Sequence, residues 1–314
     1  MNFKKRKVFI PLLVLTTLLV ISSLGVAQEY PLTVVDDLEQ EIVMKEKPEK
    51  IISISPNMTE VLFAIGAGEK VIGVTTFANY PEEATKVDKI GTITEPNIEK
   101  IISMEPDLVI ASSVNKKETV ERLRELGVNV AGFNANSVNK AIEIIKKISR
   151  LTGYQENGES ITADMYIKIS EIRNLIDKKL NNNERPKVFY EIWSDPLFTA
   201  GGNNFIDDLI HMAGGFNIGR LADGPWPQYN LEKLLIEDPD VYISTPHSAE
   251  MKVSKEQIKK RERFQSISAI ENDRVYIIHQ DILNRPSPRL VQGLGLLTKA
   301  IFPDLTEEVN NILD

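Results

Sequence analysis

The strongest constraint on this chain is a fifteen-residue pattern that it carries twice, 133 positions apart. Ile98–Ser112 reads IEKIISMEPDLVIAS and Leu231–Thr245 reads LEKLLIEDPDVYIST. Five positions are identical, and half of the others exchange one aliphatic residue for another or Glu for Asp. An asparagine precedes each copy (Asn97, Asn230), a residue suited to cap a helix N-terminus. A short run with helical aliphatic spacing follows, then a Pro-Asp stop, then an apolar stretch that reads as a strand. Two copies so far apart are too few for a solenoid. They predict two lobes of one design with a cleft between them.

A length of 314 residues accommodates two domains of ordinary size. Basic residues Lys4, Lys5, Arg6 and Lys7, the apolar stretch Val8–Ile21 and the small residues Gly25-Val26-Ala27 predict a cleaved secretory signal over 1–27. The apolar stretch falls short of the roughly 20 residues that a membrane-spanning helix needs. No cysteine occurs, which excludes disulfides, thiolate metal sites and a lipid-modified N-terminal cysteine. The expectation is therefore a protein free in the periplasm, not lipid-anchored. Beyond residue 27 the chain holds 33 basic and 45 acidic groups, a formal charge of −12. That argues against nucleic acid or anionic lipid as partner. Nothing in the sequence points beyond a monomer.

Organisation follows from periodicity. Residues 28–47 read as a small strand pair turning near Asp36-Asp37. An N-terminal lobe is expected over 48–153, with strands at Ile51–Ile54, Val71–Val74, Leu108–Ala111 and Val128–Ala131 and helices at Thr59–Ile65, Glu118–Leu126 and Ala141–Thr152. A linking helix occupies 154–184, its apolar residues Ile161, Met165, Ile169, Ile172 and Ile176 at three- and four-residue spacing over Glu159–Leu180. The alternation restarts over 185–314, at Val188–Ile192, Phe205–Met212, Leu231–Ile236, Val241–Ser244, Val275–Ile278 and Leu290–Ile301. The class is α/β: two Rossmann-like lobes, each a mainly parallel sheet covered by helices, joined by one long rigid helix.

Motifs for chemistry are sparse. Gly66, Gly68 and Gly73 follow a helix instead of opening one, so they read as a C-cap and turn, not a dinucleotide loop. Asn57 reads as a helix cap. His211, His247 and His279 are the only histidines and form no cluster with metal-ligand spacing; His247 and His279 near strand ends leave an iron or haem ligand open. No nucleophile elbow and no paired carboxylates are visible. No catalytic residue and no resident metal or cofactor is expected. What remains are aromatic and charged residues just after strands or in loops: Phe77, Tyr80, Trp193, Phe198, Trp226, Asp281, Arg285 and Arg289. In open parallel sheets the ligand lies beyond the carboxyl ends of the strands, and aromatic faces with a few charges suit a large, flat, partly polar molecule.

Six segments in order carry a resemblance: KPEKIISISPNMTEVLFAIGAG, GVTTFANYP, NIEKIISMEPDLVIAS, FTAGGNNFIDDLIHMAGGFNI, PWPQYNLEKLLIEDPDVYIS and RPSPRLVQGL. Over Pro48 to Pro303 the chain resembles the clamp-type solute-binding proteins of ABC importers for cobalamin, ferric siderophores and haem, most of all their cobalamin-binding branch. The resemblance implies a binding protein that captures a corrinoid or other metal chelate and passes it to a transmembrane permease, with a ferric siderophore or haem as the alternative ligand. An exported chelatase-like enzyme is the remote alternative. It also implies that Glu99 and Glu232 project from the two lobes and dock onto the permease; their placement in the first turn of a capped helix, twice, gives the same pair. Phe77, Phe198 and Trp226 carry over as aromatic ligand contacts, with Asp281 beside them. Ile93, Ser112 and Ile192 depart from the cobalamin pattern, which has aromatic residues there. Trp193 is placed to substitute, and Arg285 and Arg289 suit the carboxylates of a siderophore or haem.

Overall fold

The computed structural model describes residues 30–246 and 253–314; the expected signal segment and His247 lie outside the described residues. The chain runs as a hairpin, β1 (Leu32–Val35) and β2 (Glu41–Met44), and then β3 (Ile51–Ser53), α1 (Pro56–Ala64), β4 (Val71–Val74), α2 (Ile98–Ser103), β5 (Leu108–Ser112), α3 (Lys117–Glu125), β6 (Val130–Phe133) and α4 (Val138–Leu151). The 26-residue α5 (Gln155–Leu180) follows. Beyond it come β7 (Lys187–Ser194), β8 (Leu197–Thr199), α6 (Phe205–Met212), β9 (Phe216–Asn217), α7 (Leu231–Glu237), β10 (Val241–Ser244), α8 (Lys255–Lys259), α9 (Ser268–Glu271), β11 (Val275–Ile277), α10 (Gln280–Leu283), α11 (Leu290–Ile301) and α12 (Thr306–Leu313).

Two sheets result. The first has the order β4-β3-β5-β6 with every pair parallel. The second has the order β11-β10-β7-β8, with β9 also on β7; β8 runs antiparallel to β7 and the other pairs are parallel. The antiparallel β8 is a hairpin partner that the sequence reading passed over. Each parallel sheet is apolar on both faces, as helices on both sides require. Ile52, Val109 and Val130 face α2 and α3, and Phe189 and Tyr242 face α7 to α9. The opposite faces join a single cluster that runs from Ile51 and Leu108 through Met165, Ile169, Ile172 and Ile176 of α5 to Val188, Val241 and Leu294. At 1.5 Å per residue α5 spans about 39 Å, long enough to pack on both halves. It meets α4 on one side and α11 and α12 on the other.

The duplicated pattern builds α2–β5 and α7–β10, and its details repeat. Asn97 accepts the Lys100 N–H, and Asn230 accepts those of Glu232 and Lys233. Each helix ends in a left-handed acidic residue, Glu105 (φ 49°) and Asp238 (φ 44°). After it, Asp107 accepts the Glu49 and Lys50 amides at 2.8 Å, and Asp240 accepts the Lys187 amide at 2.7 Å. Each aspartate thereby fastens the start of the strand beside it. The Pro-Asp pair is thus a stop and a strand anchor together.

One expectation fails locally. Ser55, not Asn57, is the N-cap of α1, and Asn57 lies inside its first turn. The fixed φ of Pro56 favours the first helical position and pulls the helix start forward.

Gly158 of α5 marks where two helices touch: a Cβ there would meet Ser149 Oγ of α4 at 2.1 Å and Ser149 Cβ at 2.4 Å. A mid-helix Gly→Ala change normally stabilises by about 0.5–1 kcal/mol. Here Gly158→Ala is expected to destabilise by roughly 1–3 kcal/mol, because α4 and α5 must separate. Urea unfolding of the two proteins gives the sign, and a stabilised variant would refute the close approach.

Candidate functional site

The strand order of the first sheet reverses between β3 and β5, and the second sheet presents its strand ends toward the same gap. A cavity of about 870 Å³ occupies it. One wall comes from the loops that follow parallel strands: Pro56 and Asn57 after β3, Phe77 after β4, Ser112 to Val114 after β5, and Asn134 to Asn136 after β6. The facing wall comes from Ile192 of β7, Asn203 to Phe205, Pro225-Trp226, and the segment Gln280 to Pro286 around α10. This is the crevice in which open α/β sheets bind ligands.

Of the eight residues expected to contact ligand, Phe77, Trp226, Asp281 and Arg285 line the cavity. Ile93, Ser112 and Ile192, the departures from the aromatic pattern, line it as well. Trp226 is held by its neighbours. Pro225 O accepts from Gly201 N at 3.0 Å and from Asn204 Nδ2 at 2.8 Å, and Pro227 O accepts from Thr199 N at 3.1 Å. Only glycine fits at 201, where a Cβ would lie 2.0 Å from Gly224 O. The Trp226 ring then meets Phe205 edge-on, centroids 6.5 Å apart. Tyr80, Trp193, Phe198 and Arg289 are not among the lining residues. Trp193 and Phe198 face each other in the β7–β8 register, and Trp193 Nε1 donates to Asp195 O at 2.8 Å.

Arg285 and Arg289 have a partner that periodicity could not reveal. Glu60 of α1 is 2% exposed. Its Oε1 accepts from Arg285 Nη1 at 3.0 Å and from Arg289 Nη2 at 2.5 Å. Its Oε2 accepts from Ser287 Oγ at 2.7 Å and Arg289 Nε at 2.9 Å. Arg285 also donates to Asn79 Oδ1 at 2.7 Å and Phe77 O at 3.2 Å, and pairs with Asp281 at 2.9 Å. Asn79 Nδ2 closes the circuit on Asp281 Oδ2 at 2.8 Å. Arg289 lies over the Tyr80 ring, 4.0 Å from its centroid. Two guanidinium groups thus balance two carboxylates, and the network ties the first lobe to the second. Arg285, the only basic residue among the described residues lining the cavity, is already neutralised.

Polar groups at the rim are mostly amides. Asn57 is 6% exposed, and its Oδ1 accepts from Ser55 Oγ, which lies 2.7 Å from Ser112 Oγ. Asn284 Oδ1 accepts from the Tyr190 hydroxyl, which also lies 3.0 Å from Thr245 Oγ1. Burial raises the Tyr190 phenol well above its ordinary pKa, so it stays a proton donor. Asn204 is engaged at both ends, accepting from Ile206 N and donating to Pro225 O. The two described histidines take structural places. His279 Nδ1 caps α10 by accepting Asp281 N at 3.2 Å. Burial, then Arg185 and Arg220, lower the His211 pKa, so it sits neutral in the last turn of α6. No group of three or more potential metal ligands occurs among the described residues.

Glu60→Ala is expected to cost roughly 3–5 kcal/mol, since it takes the shared buried carboxylate from two part-buried guanidinium groups. Denaturant unfolding measures this, and a loss under about 1 kcal/mol would show that the network is not holding the lobes.

Comparisons with known proteins agree with this geometry. A family profile described as "periplasmic binding protein" matches residues 51–282. The uncharacterized ABC transporter substrate-binding lipoprotein YvrC of Bacillus subtilis is 31% identical over 284 residues, covering 89% of this chain and 88% of that protein. A vitamin B12-binding protein of Vibrio cholerae is 26% identical over 247 residues, covering 78% and 86%. Among solved structures, the periplasmic vitamin B12 binding protein BtuF of Vibrio cholerae superposes with a TM-score of 0.71 at 25% identity, covering 83% of this chain and 98% of that one. The periplasmic heme-binding protein RhuT of Roseiflexus sp. RS-1, in apo form, gives 0.73 at 27% identity, covering 81% and 98%.

Proposed function

We propose that this chain, which belongs to the periplasmic binding protein family, captures a corrinoid or closely related metal chelate in the interlobe cleft and presents it to an ABC permease through Glu99 and Glu232. It acts as a carrier and performs no chemistry on its ligand. With no cysteine to take a lipid, it works free in the periplasm, as a monomer.

One observation carries the docking assignment. The repeat has five identical positions, and four of them have work inside the molecule. Lys100 and Lys233 each donate to a carbonyl of a preceding loop, Lys89 O and Leu221 O. Pro106 and Pro239 end the helices, Asp107 and Asp240 anchor strands, and Ile110 and Ile243 are fully buried. Glu99 and Glu232 are exposed, and their carboxylates bond to no described residue. A favourable helix dipole accounts for only about 0.3–1 kcal/mol of their presence. A duplicated surface carboxylate with no internal role suits a two-point contact with basic groups on a partner.

For the ligand, the support is the shape and charge of the cleft. Phe77, Trp226 and Phe205 with Ile93 and Ile192 provide apolar faces, and the one cation is already paired. A free carboxylate on the ligand would have to displace Glu60 or Asp281 from Arg285. The curated relatives named for vitamin B12 point the same way. Haem is the second reading, favoured by the aliphatic Ile93 and Ile192 and by the likeness to a heme-binding structure.

Calorimetric titration of residues 28–314 with cyanocobalamin, haemin and ferric siderophores is the direct test, and tight one-to-one cyanocobalamin binding is expected. Binding of haemin alone would replace the ligand and keep the fold. Trp226→Ala should weaken binding by roughly 1–3 kcal/mol, as loss of a preorganised aromatic anchor does. Reversing Glu99 and Glu232 to Lys together should leave affinity intact and abolish transport and permease binding. Unchanged uptake would end the docking assignment.

A further inference from the structure

We infer that Asn57 and Asn284, one from each wall of the cleft, form a matched pair of neutral donors that hold carbonyl oxygens of uncharged carboxamide groups on the ligand. The inference rests on the corrinoid reading above and deepens it to a recognition chemistry.

The orientation of each amide is set from behind by a buried hydroxyl. Ser55 Oγ donates to Asn57 Oδ1, and with that proton committed, Ser112 Oγ is the donor in the 2.7 Å contact with Ser55. The relay Ser112 to Ser55 to Asn57 is polarised in one direction, and such chains strengthen the last donor. Asn115 Oδ1 accepts the Ser112 amide at 2.9 Å, and its Nδ2 donates to Ile54 O at 2.7 Å, so the strand-end loop beneath is fixed. On the facing wall the Tyr190 hydroxyl donates to Asn284 Oδ1. Both carbonyl ends are therefore occupied, and both amide nitrogens, bonded to no described residue, are left for the cavity that these side chains line.

A second feature converges on Asn57. The nine-residue α1 starts at Pro56, which has no N–H, and its N-cap Ser55 turns its hydroxyl to Asn57 Oδ1 and makes no side-chain cap bond. The Asn57 and Met58 amides at that terminus bond to no described residue. A helix N-terminus carries roughly half a positive charge and favours an acceptor oxygen. Asn57 is only 6% exposed, so its side chain is held in one place where it borders the cavity. These donors are neutral, and the single cation among the described lining residues is spent on Glu60 and Asp281. The subsite thus offers neutral amide donors and a helix N-terminus but no unpaired cation, which suits the partial negative charge of a carboxamide carbonyl.

The test uses cyanocobalamin and haemin as probes against the wild type, Asn57→Asp and Asn284→Asp. Each aspartate keeps the acceptor that Ser55 or Tyr190 needs, and an acid in the first turn suits α1, so folding should be undisturbed, as thermal midpoints would verify. Each substitution should weaken cyanocobalamin by roughly ten- to hundred-fold at neutral pH, because a donor becomes a repelling acceptor. Affinity should recover as pH falls through the carboxyl range near about 4, where the protonated acid offers an O–H again. Wild-type affinity should be flat across the same range. If the wild type binds cyanocobalamin and either variant binds equally well, the paired subsite is wrong and the corrinoid reading stands. If only haemin binds, with affinity falling as its propionates protonate, the uncharged acceptor is overturned together with the corrinoid reading.

Discussion

Burying the Glu60 carboxylate between the lobes costs several kcal/mol unless its oxygens are fully engaged, and the local architecture follows from that demand. Four donors reach it, all from the stretch between β11 and α11 that carries Arg285, Ser287 and Arg289. That stretch therefore cannot drift from α1, and α1 begins at the floor of the cleft. Arg285 extends the same constraint to Asp281, Asn79 and the Phe77 carbonyl, so the aromatic lip of one lobe is positioned by a cation of the other. The contiguous apolar cluster through α5 supplies the bulk of the attachment, and the ion network supplies its register. A clamp built this way should move through small angles, because wide opening would strip partners from buried charges.

What could be read from sequence was whatever repeats or alternates. The two copies of the fifteen-residue pattern gave the helix–strand units and their caps, since Asn97 and Asn230 act locally. The apolar runs gave β4, β10, α6 and α11 at their observed bounds. The charged floor was not legible. Glu60 sits in NMTEVLF as an ordinary helical glutamate, and its partners lie 225 to 229 positions away. No local signal marks a pair at that separation. Arg285 and Arg289 looked like ligand-facing cations for the same reason: sequence shows a charge but not what neutralises it. The cap was placed two residues late, at Asn57 instead of Ser55, because the cap-forming side chain was weighed above the preference of Pro56 for the first helical position.

Duplication also separates structural from functional residues without any alignment. When one sequence builds the same unit twice, positions kept in both copies for folding should show the same internal contact twice. Lys100 with Lys233, Asp107 with Asp240 and Asn97 with Asn230 meet that condition. Glu99 and Glu232 do not; beyond the helix dipole that both first turns share, the proposed permease contact is the external demand that would keep the same acid at the same place.

A carrier has to release what it binds, and the cleft's chemistry is consistent with that need. A buried ligand–protein ion pair would oppose release, since separating it leaves an unpaired charge in a low-dielectric site. In this cleft the strong charges are paired with each other and stay paired when the ligand leaves. The proposed ligand would then be held by apolar area on Phe77, Trp226 and the flanking isoleucines, and by neutral hydrogen bonds that water can replace, each worth only about 0.5–1.5 kcal/mol net. Opening the lobes by a small angle would thin the apolar contacts on both faces at once. Affinity spread over many such contacts can be high in the closed clamp and fall steeply if the proposed docking through Glu99 and Glu232 draws the lobes apart.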